Sequence, residues 1–419
     1  MKRLFSFHLC IGIILFAGCA EPPAFQFNVV AKKQAEQDQP FSSQQIEDIA
    51  NVLTAFFGTP DQPAFPNVRS FHFPEGLDYG EAFAEVVDFQ DVIRAAGPVR
   101  FDESGKTAGL YREHCSHCHG ISGDGSGPTA VTLTPYPRDF RNGVFKFKST
   151  IGKARPSNED LYNIINDGIP GTAMPAFNVA ITQSEKKALV DYVKYLSIRG
   201  EIEQVLWDIT ASLEEDQRLP LVFPRDYDEL DEEEKDELYG WFEEEGIRIE
   251  SIFKSWTKAS SSPSIKRPTA PPEYFSESHD EHANFLAKGR AIFSGKSGAC
   301  IQCHGDTGYG DGELGNYDIW NQWAKGKNDK YIAGFVDAGV LPPRTISPRN
   351  FRNGGFRGGR NPLNLFYRIK NGIQGSQMPG AATLTDEEVW ALVAYVRNIK
   401  NETITGGHQQ KPIHDKKIN

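Results

Sequence analysis

Hydrophobic positions fall mostly at helical spacing. Ile46, Ile49, Leu53, Phe56 and Phe57 share one face of a predicted helix. Ser42 and Gln45 open it as a capping box, and Gly58 with three prolines in "FGTPDQPAFP" ends it. Residues 58–100 then read mostly as loop. Ile202, Val205, Leu206, Ile209 and Leu213 recur at helical spacing, and Leu238, Trp241, Phe242, Ile249, Ile252, Phe253 and Trp256 predict a second amphipathic helix. Residues 20–40 are polar and Pro/Gln-rich, as in a flexible tether, and "SSSPSIKRPTAPPEYF" at 260–275 reads as linker. The tail from 401 to 419 is expected to be disordered. Each element that spacing predicts is a helix, as a mainly α fold class requires.

The chain also repeats itself. "YPRDFRNGVFKF" (136–147) returns as "SPRNFRNGGFRG" (347–358). "LYNIINDGIPGTAMPAF" (161–177) returns as "LFYRIKNGIQGSQMPGA" (365–381), and "TQSEKKALVDYVKYL" (182–196) as "TDEEVWALVAYVRNI" (385–399). Each series follows a C-x-x-C-H. Four matching blocks in one order predict a duplicated domain, at 101–199 and 282–400, with an acidic helical connector and linker at 200–281. His119 to Met174 spans 55 residues and His304 to Met378 spans 74. The excess lies largely in an insertion that carries Trp320 and Trp323.

Composition adds two facts. The 419 residues carry a formal net charge of −11, yet residues 201–250 alone hold 19 acidic side chains against 4 basic ones. Residues 338–385 hold six Arg, one Lys and no acid, a basic rim suited to an acidic redox partner or to the connector. Either charged stretch also reads as a plain solvated surface. No nucleic-acid partner is expected.

The motif occurs as Cys115-Ser-His-Cys118-His119 and Cys300-Ile-Gln-Cys303-His304. C-x-x-C-H is the signature of c-type haem attachment: two thiols on a tight turn add to the two vinyl groups, and the next imidazole comes to lie under the iron. Zinc would need two further ligands per site. His114 and His117 offer them in the first copy, but Ala299 and Gln302 stand there in the second. A redox dithiol should accompany a βαβ pattern, and none is visible. His114 and His117 are then expected to be exposed turn residues. The chain has three methionines: the initiator, and Met174 and Met378, each before a proline at equivalent places in the repeats.

With "GIPGTAMP" (168–175) and "GIQGSQMP" (372–379) following the two motifs, about half the chain resembles the small single-haem cytochromes c. The resemblance implies two haem c groups, held covalently by Cys115 with Cys118 and by Cys300 with Cys303. It implies axial ligation by His119 with Met174 and by His304 with Met378, in two compact all-helical domains. The family's glycine four residues before an aromatic is matched by Gly289 and Phe293, whereas Tyr111 has Thr107 there. Its proline, whose carbonyl holds the proximal imidazole, is matched by Pro128 and has no equivalent in the second domain. Arg138 and Arg141, with Arg349 and Arg352, are candidates for the haem propionates, since a guanidinium matches a carboxylate as a planar fork. Surface arginines are the alternative. Phe140 and Phe351 are expected to pack beside the porphyrin.

At the start, Lys2 and Arg3 precede an apolar run from Leu4 to Phe16, the shape of an export signal over residues 1–18. "LFAGC" resembles the lipobox of bacterial lipoproteins, with Phe16 where leucine is usual, and would make Cys19 the lipidated first residue of the mature chain. An ordinary signal peptide containing a cysteine is the alternative. Cys10 leaves with the signal, so the mature chain keeps its two C-x-x-C pairs and no cysteine for structural disulfides. The expectation is an exported, membrane-anchored di-haem carrier, or the haem subunit of a respiratory oxidoreductase. It would face the periplasm or the outer side of a membrane and exchange electrons with redox proteins of the cell envelope. A di-haem enzyme acting on peroxide or a small sulfur anion is the rival. A scaffold whose haems are secondary, using residues 20–100 and the acidic segment, is a third reading.

Overall fold

The computed structural model describes residues 22–36, 39–65, 79–103, 105–219, 231–261, 265, 267–295, 300–312 and 316–403. The signal, Cys19 and the tail beyond 403 lie outside them. The described residues are largely helices and loops, with two short two-stranded antiparallel sheets. None of these helices is long and apolar enough to cross a membrane.

In the second repeat, α10 (His282–Ser294) leads into α11 (Ile301–His304). After the insertion, which holds α12 (Asp329–Val336), come α13 (Pro362–Asn371) and α14 (Asp386–Asn398). Helix α14 starts at a capping box of Thr385 and Glu388 and buries Val389 to Val396. Gly289 on α10 lies against α14 so closely that a Cβ there would run into the Ala391 carbonyl and sit 2.7 Å from Tyr395 Cβ. The glycine is needed for the crossing, not for flexibility.

The first repeat is built differently. Its motif helices are α5 (Leu110–His114) and α6 (Ser116–His119), followed by α7 (Asn158–Asp167) and α8 (Gln183–Thr210). Thr107 falls in a hairpin of β1 (Arg100–Asp102) and β2 (Gly105–Ala108), so no long helix precedes the motif. Tyr111 packs on Tyr192 of α8 at 4.9 Å between ring centroids. Helix α8 has the same capping box, Thr182 with Glu185, but runs on without a break to Thr210. The last helix of the first repeat and the first connector helix are thus one element.

Residues 58–100, expected as loop, contain α3 (Tyr79–Ala84) and α4 (Phe89–Ala95), which follow α1 (Val29–Ala35) and α2 (Ser43–Phe57). Helix α2 carries the expected capping box and buries Ile49, Leu53, Phe56 and Phe57. These helices complete the core around α8. Phe57 and Phe83 meet Tyr195 edge-on, and Phe27 and Phe41 pack on Trp207. Glu203, fully buried, accepts from Asn28 N, Arg199 and Trp207 Nε1. Helix α9 (Glu232–Ala259) closes the other side, with Phe253 against Phe83 and Trp256 Nε1 donating to Glu201 at 2.9 Å. The side chains of Leu238, Trp241 and Phe242 lie outside the described residues. The acidic connector therefore has one face in the core of the first repeat.

The basic run 338–385 is not a free rim. Arg368 donates to the carbonyls of Arg357, Gly358 and Gly359, Arg360 to that of Arg397, and Arg352 to those of Thr307 and Glu402. Backbone carbonyls take up these guanidinium groups, and Glu402 lies beside Arg352 at 3.6 Å.

Replacing Gly289 by Val should push α10 off α14. Overpacking of this kind costs ~1–3 kcal/mol, more than the ~0.5 kcal/mol the helix gains by losing a glycine. Thermal unfolding should show the loss as a lower unfolding temperature of the whole chain.

Candidate functional site

Each C-x-x-C-H forms one tight helical turn. His119 N donates to the Cys115 carbonyl, and His304 N to that of Cys300, both at 2.9 Å. The imidazole is thereby fixed one turn from the first thiol. Burial pushes the Cys115 thiol up to about 12 and the Cys300 thiol up to about 11. Neither has the lowered pKa of a redox-active thiolate.

The two imidazoles are oriented identically. His119 Nδ1 lies 2.9 Å from the Arg138 carbonyl, and His304 Nδ1 lies 3.2 Å from the Arg349 carbonyl. A carbonyl only accepts, so each Nδ1 carries the proton and each Nε2 keeps its lone pair. Burial lowers the His119 pKa to about 4 and also lowers that of His304, the carbonyl bond acting in the opposite sense. Both rings are neutral ligands in waiting. Phe140 stacks on His119 at 4.6 Å, and Phe351 on His304 at 4.4 Å. Phe140 N and Phe351 N in turn donate to Gly123 and Gly308 carbonyls. The expectation for Pro128 is corrected: the carbonyl comes from the first arginine of "PRDFRNG" and "PRNFRNG", and it is present in both repeats.

The methionine loops are copies of one another. Ile169 N donates to the Met174 carbonyl and Ile373 N to that of Met378, each at 3.1 Å. Thr172 Oγ1 and Ser376 Oγ accept from Met174 N and Met378 N, each at 3.2 Å. Both methionines are half-buried.

All four cysteines, His119, His304, Met174 and Met378 line one continuous cavity of about 1490 Å³. A single small-molecule site takes ~300–1,000 Å³, so this space suits more than one large group. Of the four candidate arginines, Arg138 and Arg349 face it. Arg141 reaches its wall, but Asp139 holds its guanidinium by two bonds and the Phe27 carbonyl by a third. Arg352 lies off the cavity on the Thr307 and Glu402 carbonyls, so it is withdrawn as a propionate contact. Lys146 and Arg357, which stand at the same place in the aligned repeats, line the cavity instead. That equivalence in "VFKF" and "GFRG" was a usable signal.

These cations lack enough negative charge around them. Arg138 is enclosed by protein apart from its cavity face, and burial lowers it to about 10. Lys146 falls to about 8, mainly through burial and then through Arg138, with Asp318 opposing. Arg357 Nε is buried without a hydrogen-bond partner. Paired thiols and a neutral imidazole on one turn, a methionine on another wall and under-compensated cations between them fit haem and its carboxylates.

Residues 104–193 match the family "Cytochrome C oxidase, cbb3-type, subunit III", and residues 286–400 match the family "Cytochrome c". Cytochrome c55X of Paracoccus denitrificans (strain Pd 1222) is 31% identical over 101 residues, which are 23% of this chain and 79% of that protein. A solved chain of the Kuenenia stuttgartiensis reducing HAO-like protein complex is 23% identical, with a TM-score of 0.41 over 69% of this chain and 93% of that one. The protein belongs to the c-type cytochromes. It contains two cytochrome c domains, and its work is haem-based electron transfer.

His114, expected to be exposed, is half-buried with its ring edge-on to Phe177 at 5.9 Å, while His117 is exposed. Burial lowers the His114 pKa from 6.5, against the pull of Glu113. The unfolded chain then binds a proton that the folded one refuses, so this contribution is fully present above pH 6.5 and is lost as pH falls through the folded value. Replacing His114 by Phe should flatten the fall in unfolding temperature between about pH 7 and 5.

Proposed function

We propose that the chain carries two haem c groups, one per repeat, and acts as a single-electron carrier or haem subunit of a respiratory oxidoreductase. Cys115 with Cys118 and Cys300 with Cys303 are the attachment thiols. His119 with Met174, and His304 with Met378, are the residues that would hold each iron. Bound haem supplies a ferric/ferrous couple that takes up and releases one electron.

The protein's own residues do the rest. The Arg138 and Arg349 carbonyls hold the imidazoles in one tautomer and one orientation, which is how surrounding groups tune a metal ligand. Phe140 and Phe351 prevent ring rotation and keep water from the proximal side. The bonded loops at 169–174 and 373–378 bring each thioether to the cavity wall, and a soft thioether opposite His raises the potential. Arg138, Lys146, Arg349 and Arg357 offer positive charge to the propionates. The observation that carries this reading is that the imidazole–carbonyl bond and the methionine-loop bonds recur in both repeats.

Export through the signal at 1–18 and lipidation at Cys19 would hold the protein at the outer side of a membrane, among redox proteins of the envelope. Several acyl chains anchor stably where one does not.

Met174→Ala should remove the Met–iron charge-transfer band of one haem and leave that of the other. Optical and near-infrared spectra of the oxidised protein read this directly, and an untouched spectrum would refute the assignment. Turnover of peroxide or thiosulfate by the wild-type protein would contradict the carrier reading.

A further inference from the structure

The insertion that lengthens the second repeat does not hang free. Its strand β3 (Asn316–Tyr317) pairs with β4 (Thr345–Ile346), and a 3₁₀ turn, Ile319–Ala324, follows it. From there Trp320 crosses to the first repeat. The Arg138 guanidinium lies over its ring at 3.3 Å, and its Nε1 donates to the Asp139 carbonyl at 3.3 Å. Asp318, buried beside it, pairs with Lys146 at 2.9 Å.

The other side of the same turn rests on the second repeat's own methionine loop. Ile319 N donates to the Gly375 carbonyl at 2.9 Å. A Cβ at Gly375 would stand 2.7 Å from Trp320 Cζ3 and 2.9 Å from Ile319 Cγ2, so only glycine lets the indole seat there. Gly375 is three residues before Met378. Arg138, whose guanidinium lies over the same indole, is the residue whose carbonyl orients His119.

We propose that Trp320 and Asp318 form an interdomain clasp that couples the two metal sites, joining the residue that orients His119 to the loop that carries Met378. Both are positioning residues. They act on the ligands through Arg138, Lys146 and Gly375 rather than touching the iron. Trp320 is a flat, rigid plate that touches both the Arg138 cation and the Gly375 backbone, so a shift of either is passed to the other. Asp318 adds a carboxylate between the cations of the first repeat and the methionine loop of the second. This coupling role rests on the ligand reading above; the docking role does not.

The test uses the full-length, haem-loaded protein with Trp320→Ala, Trp320→Phe and Asp318→Asn. Differential scanning calorimetry should give one cooperative transition for the wild type, two separated ones for Trp320→Ala, and one again for Trp320→Phe, which keeps a ring on Arg138. A single wild-type-like transition for Trp320→Ala would overturn the clasp. Redox titration of Asp318→Asn should move both potentials upward, because a carboxylate shared by the two sites has lost its charge. Movement of neither potential, or of one alone, would overturn the coupling. Spectra of the wild type count haems and Met–iron bands separately. A failed ligand assignment would therefore show there, while the calorimetry would still decide the docking.

Discussion

Each imidazole is held by one hydrogen bond from Nδ1 to the carbonyl of an arginine, 19 residues further along the chain in the first repeat and 45 in the second. A buried imidazole without that acceptor would lose its preferred tautomer and orientation. The bond can form only if the "PRxFRNG" segment folds back onto the C-x-x-C-H turn. That return is secured by Phe140 N and Phe351 N, which bond to glycine carbonyls just after the motif. The return also places the phenyl rings flat against the imidazoles and leaves the arginine side chains at the cavity. Ligand orientation, proximal packing and positive charge at the site are consequences of one backbone contact, made twice.

Around that shared unit the two repeats are stabilised differently. The second follows an economical plan, two helices crossing at Gly289. The first lacks the long leading helix and recruits α1 to α4 from before it and α9 from after it, all converging on α8. Glu201 and Glu203, buried on α8, tie these additions down through Arg155, Trp256, Arg199, Trp207 and Asn28. Charges this deep are tolerated because each is paired and hydrogen-bonded. Arg138, Arg357 and Lys146, the last paired with Asp318, face the cavity, where the carboxylates of a bound haem would add counter-charge.

Much of this was legible in the sequence. Duplication exposed the equivalence of Cys115 with Cys300, His119 with His304 and Met174 with Met378, and the helix start at Ser42 announced itself as Ser followed three residues on by Gln. What stayed hidden has physical reasons. Helices α3 and α4 are too short for a helical period to show, although Phe83 and Val92 end up fully buried. The acceptor for His119 is a main-chain oxygen, which any residue type supplies, so side-chain motifs pointed to Pro128 instead. The basic run looked like a surface because carbonyl partners leave no trace in composition. The contact of Trp320 with Asp139 spans 181 positions, and no local pattern reports it.

The central claim is that both repeats hold haem iron between histidine and methionine in one chamber. Spectroelectrochemical titration of the purified, full-length protein tests it most directly. Two one-electron steps of equal amplitude are expected, each accompanied by loss of a Met–iron charge-transfer band on reduction. A single one-electron step, or two steps with no such band in the oxidised protein, would contradict it.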